Sequence, residues 1–200
     1  MNSRERVLTA FDHREADRIP FDLGSVQVTG IQETAYQKLR RALGLPETAV
    51  DLCDTIQQLA TIEEDLAERL GVDFRGLYPL NSHNWGIEDV DAGAYWAYRD
   101  EWGITHHRPK EGGFYYSIVE VPLAKFDVTE QEIAAYPWPD MGAGWRVKGL
   151  REQAEQFRAG GYAVVLKDAF AGIFEFAQRV IGMENLLILM GMDEQKAGVL

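Results

Sequence analysis

Apolar residues recur along this chain at two spacings, and the switches between them mark out its elements. Residues 162–166 (YAVVL) form a short β-branched apolar run, which predicts a strand buried on both faces. Lys167 and Asp168 break that run. After Gly172 the apolar positions return at helical spacing, at Ile173, Phe176, Ala177, Val180 and Ile181. Strand, polar tip, small-residue turn and helix make half of a βαβ unit. A matching half lies upstream. Leu59, Ile62, Leu66 and Leu70 line one helical face, with Glu63, Glu64, Asp65 and Glu68 toward water. Gly71 ends that helix, and residues 72–78 (VDFRGLY) predict a strand. In parallel sheets and α/β barrels chemistry gathers at the carboxyl ends of strands, so Asp168 and the turn after it are the first place to look for a site.

The remaining segments follow the same code. Residues 2–11 predict a helix with a capping box formed by Asn2 and Glu5, and with Val7, Leu8 and Phe11 on one side. Residues 19–24 (IPFDLG) predict a first strand, with Pro20 at its start and Asp22 near its exit. A helix over 31–43 carries Ile31, Ala35, Leu39 and Leu43 on one face and stops at Gly44 and Pro46. Residues 50–58 fit either a loop or the start of the next helix. Between 79 and 140 aromatic residues cluster, and Gly112-Gly113 separates two strand-like runs, 95–108 and 114–121. This predicts an antiparallel hairpin excursion. Thr129 and Glu132 form a second capping box. A helix over 145–158 turns Val147, Leu150, Ala154 and Phe157 inward, and Gly160-Gly161 leads into the strand at 162. The last residues read as helical.

About three parallel-type strands are legible, whereas a closed eight-stranded barrel typically needs ~250 residues. The expected fold class is therefore α/β, the N-terminal part of a TIM (β/α)8 barrel with an antiparallel hairpin insertion. Residues 1–200 would form a single, incomplete barrel domain, the front half of a larger enzyme. Composition narrows the partners. With 32 acidic against 20 basic residues the net charge is −12, which disfavours nucleic acid and anionic membranes. The single cysteine, Cys53, excludes an intrachain disulfide and fits a reducing compartment. The N-terminus has no apolar signal core and no window is long enough to span a membrane, so the expectation is a soluble, cytoplasmic protein.

Several stretches carry a family resemblance. SRERVL (3–8) with DRIPFDLG (17–24) resembles the opening of uroporphyrinogen decarboxylase-like proteins, a family that also holds corrinoid-linked methyltransferases. GVDFRGL (71–77), DEWGITHHRP (100–109), YPWPD (136–140) and FAG (170–172) match in the same order along the whole chain. The resemblance implies a (β/α)8 barrel with its site at the C-terminal mouth. It also implies that Asp54, in Leu52-Cys53-Asp54-Thr55-Ile56, is the counterpart of the aspartate that receives the pyrrole N–H groups in true decarboxylases. A buried anion is needed where positive charge develops.

The chain departs from the decarboxylases in one segment. Their arginine-bearing stretch after the first strand corresponds here to residues 21–27 (FDLGSVQ), which contains no arginine. Arg75, Arg18 and Lys167 are the nearby cations that could replace it. The tyrosine that decarboxylases place after FAG also lacks a clean match. These departures favour the methyl-transfer branch, with a tetrapyrrole or corrinoid as partner, free or carried on a corrinoid protein, and with a homodimer left open. For a full-length relative the resemblance implies zinc and a corrinoid as cofactors. Within this chain it implies neither a cofactor nor a metal site. Two competing readings stay open: uroporphyrinogen decarboxylase itself, and a non-catalytic fragment supplying a binding surface.

Each candidate residue has a plainer alternative. Asp54 and Asp22 are the catalytic candidates, yet an aspartate before a helix is also a routine cap and one after a strand a routine turn-former. Arg75, His83, Asp168, Phe170 and Phe174 are the substrate-binding candidates. His83 equally fits an exposed loop, and Asp168 a surface pair with Lys167. Phe170 and Phe174 could wall a flat apolar ligand or simply pack in a core. His106 and His107, adjacent on a predicted strand, point to opposite faces and cannot share a metal. The aromatic cluster at 85–116 fits the excursion's own core, and Cys53 fits a buried small residue better than a nucleophile.

Overall fold

Local capping chemistry fixes the first helix. Asn2 accepts the Glu5 amide at 2.8 Å, and the Glu5 carboxylate accepts the Asn2 amide at 3.0 Å, which closes the capping box at the start of α1 (Ser3–Phe11). The buried side of α1 carries Arg6 and Val7, while Leu8 and Phe11 are exposed. The computed structural model describes residues 1–80, 90–167 and 172–199. It is a mixed α/β structure that divides into two compact units, Met1–Leu80 with Gly144–Ala169, and Asn81–Ala143 with Phe170–Leu200. The 79–140 excursion is thus grouped with the C-terminal helices.

In the first unit α1 is followed by α2 (Glu33–Ala42), β1 (Leu52–Asp54), β2 (Leu59–Ala60), α3 (Glu64–Leu70), β3 (Phe74–Leu77), α5 (Leu150–Ala159) and β8 (Ala163–Leu166). The expected strand at 19–24 is not formed. Pro20 has no N–H to give a ladder, and the Phe21 amide is taken by the Asp73 carboxylate at 2.8 Å. The Phe21 carbonyl makes one backbone bond, to the Asp73 amide. The ambiguous 50–58 segment resolves as β1 and a turn. With β2 it makes an antiparallel pair, Leu52 opposite Ala60. Leu59, expected on a helix, therefore sits in β2, and α3 begins at Glu64.

Gly71 caps α3 in the left-handed conformation, φ +67°, and the chain turns directly into β3. β3 and β8 run parallel, in register from Phe74–Ala163 to Leu77–Leu166. The strand at 162–166 is less enclosed than its composition predicts. Ala163 is buried, the two valines are half-buried and Leu166 is 59% exposed. The core under α2 and α3 gathers Tyr36, Ala60 and Leu66, with Leu39, Ile62 and Leu70 packed around them.

The second unit holds β4 (Val90–Ala92), β5 (Tyr95–Arg99), β6 (Thr105–Pro109) and β7 (Ser117–Glu120) in an antiparallel meander. The run read as one strand over 95–108 is two strands, turning at Asp100–Gly103. Asp100 Oδ1 accepts the Trp102 and Ile104 amides there. α4 (Glu130–Ala135) starts at the Thr129–Glu132 capping box. α6 (Ile173–Ile181), α7 (Met183–Met192) and α8 (Glu194–Ala197) close the unit around Val128, Ile133, Val180, Ile181, Leu186 and Leu189. The described strands form an antiparallel pair, a parallel pair and a four-stranded antiparallel sheet. Among the described residues no helix is long and apolar enough to cross a membrane.

Candidate functional site

Four side chains gather where β3 and β8 end. Tyr78 follows β3 directly, and its hydroxyl donates to the Gly24 carbonyl. Lys167 follows β8. Its ammonium donates to the Cys53 carbonyl at 3.0 Å and lies 5.5 Å from the centroid of the Tyr78 ring. Cys53 lies in β1, its thiol directed at the Ala60 carbonyl at 3.5 Å. Burial pushes the Cys53 thiol up, an effect the Lys167 ammonium opposes. Burial also raises the Tyr78 phenol, and neighbouring Cys53 and Asp22 push it further the same way. At neutral pH the phenol therefore stays protonated and acts as a donor.

Asp22 reaches this rim from the 21–30 loop. Its carboxylate accepts Ser25 Oγ at 2.5 Å, Thr29 Oγ1 at 2.9 Å and the Ser25 amide at 3.3 Å. That pattern is an Asx turn with two added hydroxyls, so the side chain shapes the loop and also holds a negative charge beside Tyr78. Asp54 Oδ1 accepts the Gln57 amide at 2.8 Å in the turn between β1 and β2, a turn in place of the helix cap weighed for it above, and it directly follows Cys53. The loop lies close against β3. A Cβ on Gly76 would overlap the Ser25 carbonyl oxygen and crowd the Tyr78 ring.

The other cations considered for this rim serve the fold. Arg75 is buried and turned back along β3. Its Nε and Nη2 grip Glu64 at 2.8 and 2.6 Å, Nη1 donates to the Val72 and Phe74 carbonyls, and its guanidinium stacks 3.7 Å from the Tyr162 ring centroid. Arg18 makes two bonds to the fully buried Asp73, at 2.7 and 2.9 Å. Arg6 reaches the same carboxylate at 2.6 Å and Asp17 at 2.7 Å. Burial opposes the Asp73 charge, but the Phe21 amide, Ser3 and Arg18 outweigh it and hold the carboxyl below its ordinary value.

The structure thus brings Asp22 and Lys167 toward one rim, leaves Asp54 in its own turn beside Cys53, and turns Arg75 back along β3. His83, Asp168 and Phe170 lie outside the described residues. Phe174, 49% exposed on α6, belongs to the second unit. In that unit Trp102, Trp138, Ile173, Phe176, Ala177, Val180 and Val199 enclose a cavity of about 420 Å³. Trp102 and Phe176 meet there at 4.2 Å between ring centroids. These described walls carry no acid or base. His106 is buried, stacked on Tyr98 with Nε2 2.8 Å from Asp100, while His107 stacks on Tyr95. The two histidines do point to opposite faces.

Tyr78 was not singled out by sequence reasoning. Its signal is present all the same, a hydroxyl-bearing aromatic at the last position of VDFRGLY, where a parallel strand delivers it to the rim. Zinc does not fit the residues present: among the described residues no three His, Cys, Asp or Glu side chains converge as a metal site. A flat apolar cradle for a corrinoid is not formed by these polar groups either. What the arrangement offers is an ammonium donor, Lys167, and a carboxylate acceptor, Asp22, at the ends of parallel strands in an α/β protein, with the Tyr78 proton already given to the Gly24 carbonyl. No family model matches the chain, and neither a curated protein nor a solved structure is significantly similar to it.

Proposed function

We propose that the parallel pair belongs to a (β/α)8 barrel and that the protein is a methyl-transfer enzyme resembling the uroporphyrinogen decarboxylase superfamily. In this reading the corrinoid is the substrate that delivers the methyl group, presented from outside the rim. Two helix–glycine–strand units feeding parallel strands support the barrel, because such units place successive strand ends on one face. The observation that carries the choice of branch is how the cations are used. A polycarboxylate tetrapyrrole needs several, yet Arg75 is consumed by Glu64 and Arg18 by Asp73. Lys167 is the one of the three considered that stays at the rim. That supply suits an acceptor with little charge better than uroporphyrinogen.

The residues take simple roles. Asp22 is the hydrogen-bond acceptor, held in place by Ser25 and Thr29, while Lys167 orients the acceptor molecule and Tyr78, tied to the Gly24 carbonyl, holds the Lys167 ammonium against its ring. The test follows the absorbance of methylcobalamin mixed with the purified chain and a small thiol. Demethylation above the protein-free rate, reduced about tenfold or more in Asp22→Asn, is the expected result, a magnitude typical of losing one positioned group. No spectral change, together with CO₂ release from uroporphyrinogen, would replace this reading with the decarboxylase.

A further inference from the structure

We propose that Lys167 is the anchor for a single carboxylate on the ligand that binds at the end of the parallel pair. The proposal names the charge of the acceptor, and it rests on the methyl-transfer reading only for the reaction that acceptor undergoes. The argument starts from how this unit treats three of its other enclosed cations. The chain is strongly acidic, −12 overall, so carboxylates are plentiful. Arg6 meets Asp17 and Asp73, Arg40 meets Asp65 at 2.7 Å, and Arg75 meets Glu64 at 2.6 Å. These three enclosed arginines are thereby neutralised.

Lys167 differs. It is half-buried, and among the described residues no carboxylate comes within ion-pair reach of it. A carbonyl oxygen and a ring face hold its ammonium in position: Cys53 at 3.0 Å on one side, Tyr78 on the other. Both attract a cation, but neither carries the charge that would cancel it. An ammonium has three N–H donors and the Cys53 carbonyl takes one. A pre-positioned, partly desolvated cation gains most from an arriving anion, since charge-assisted hydrogen bonds are roughly twice as strong as neutral ones.

The same surroundings set the size of that charge. A lysine acts as a compact point charge, suited to one oxygen rather than to a two-pronged grip. Asp22, whose charge is felt at Tyr78, opposes a second negative charge at this rim. One carboxylate satisfies the site and a dianion over-fills it.

The test is a titration of the full 200-residue chain with sodium acetate, acetamide and inorganic phosphate, read by backbone amide NMR at Cys53, Tyr78 and Lys167. Acetate is expected to give saturable shifts at all three positions. Acetamide, of the same size but uncharged, is expected to give none. Binding weakens about tenfold or more in Lys167→Gln, the loss of one charged hydrogen bond, and survives in Lys167→Arg. Equal responses to acetate and acetamide, or an undiminished response in Lys167→Gln, would overturn the anchor. Tighter binding of phosphate would overturn the carboxylate. Should Lys167→Gln not fold, the acetate–acetamide comparison on the unaltered chain still decides. Because no corrinoid is present, this titration stands or falls separately from the methyl-transfer assay.

Discussion

The two units hold themselves together by different physics. In the first, buried polar and charged groups are prominent: Arg6, Ser25, Arg40, Gln58, Asp73 and Arg75 are all enclosed. Asp73 ties together segments 67 and 55 residues apart in sequence, through Arg6 and Arg18. In the second, Val128, Ile133, Val180, Ile181, Leu186 and Leu189 form an apolar cluster, and rings stack on rings. Apolar packing is non-directional and tolerates small shifts. Charge pairs with fixed forks do not. A two-stranded parallel pair buries little surface of its own, so directional bonds are what place its strand ends. The polar rim sits on the unit whose geometry is pinned in this way.

Substitutions can break this contrast. The largest effect is expected for Asp73→Ala, which leaves Arg6 and Arg18 without their shared anion. Arg6 keeps Asp17, but the buried pairs to both arginines and the acceptor of the Phe21 amide are lost together, and breaking a buried ion pair costs about 3–5 kcal/mol. Urea unfolding should show that loss, with hydrogen-exchange protection falling first in β3 and β8. A loss under about 1 kcal/mol would mean that charge does not pin this unit.

Ile181→Ala tests the other side. It should cost about 2–5 kcal/mol by leaving a cavity, and because no charge is involved the loss should be the same at low and high salt. Thr129→Ala removes a helix cap and should cost about 1 kcal/mol, read as a small drop in Tm. The smallest effect is a pH response. The Lys125 ammonium, then the Thr129 amide and hydroxyl, pull Glu132 from 4.5 down to about 2. Its stabilising contribution is therefore complete above pH 4.5 and is lost as the pH falls toward about 2. Urea midpoints across that window should slope less in Glu132→Gln.

Much of the architecture was legible because its punctuation is local. Gly71 and Gly160-Gly161 announced two helix-to-strand joints, and Asn2–Glu5 and Thr129–Glu132 announced two helix starts. What failed depended on partners distant in sequence. Residues 19–24 have a strand's composition, but the Phe21 amide goes to a side chain 52 residues away instead of to a ladder. Leu59 matches the helical period of Leu66 and Leu70 by coincidence, while its backbone pairs with β1. The 95–108 run contains a turn at Asp100–Gly103, whose polar and glycine residues sit between aromatic flanks that read as one strand. At the site, Asp22 and Lys167 were visible as polar residues at the ends of apolar runs. Tyr78 was not, because an aromatic at the end of an apolar run looks like more core. Arg75 read as a rim residue from its place in the strand, and only its contact with Glu64 shows which way it turns.

Position 76 carries one more lesson. The mouth of this site owes its width to a hydrogen atom: with no side chain on Gly76, the Ser25 backbone can lie flat on the strand and bring Asp22 within electrostatic reach of Tyr78. Even a methyl group there would act as a wedge, lifting the acidic lip away from the phenol while every rim side chain stayed chemically intact.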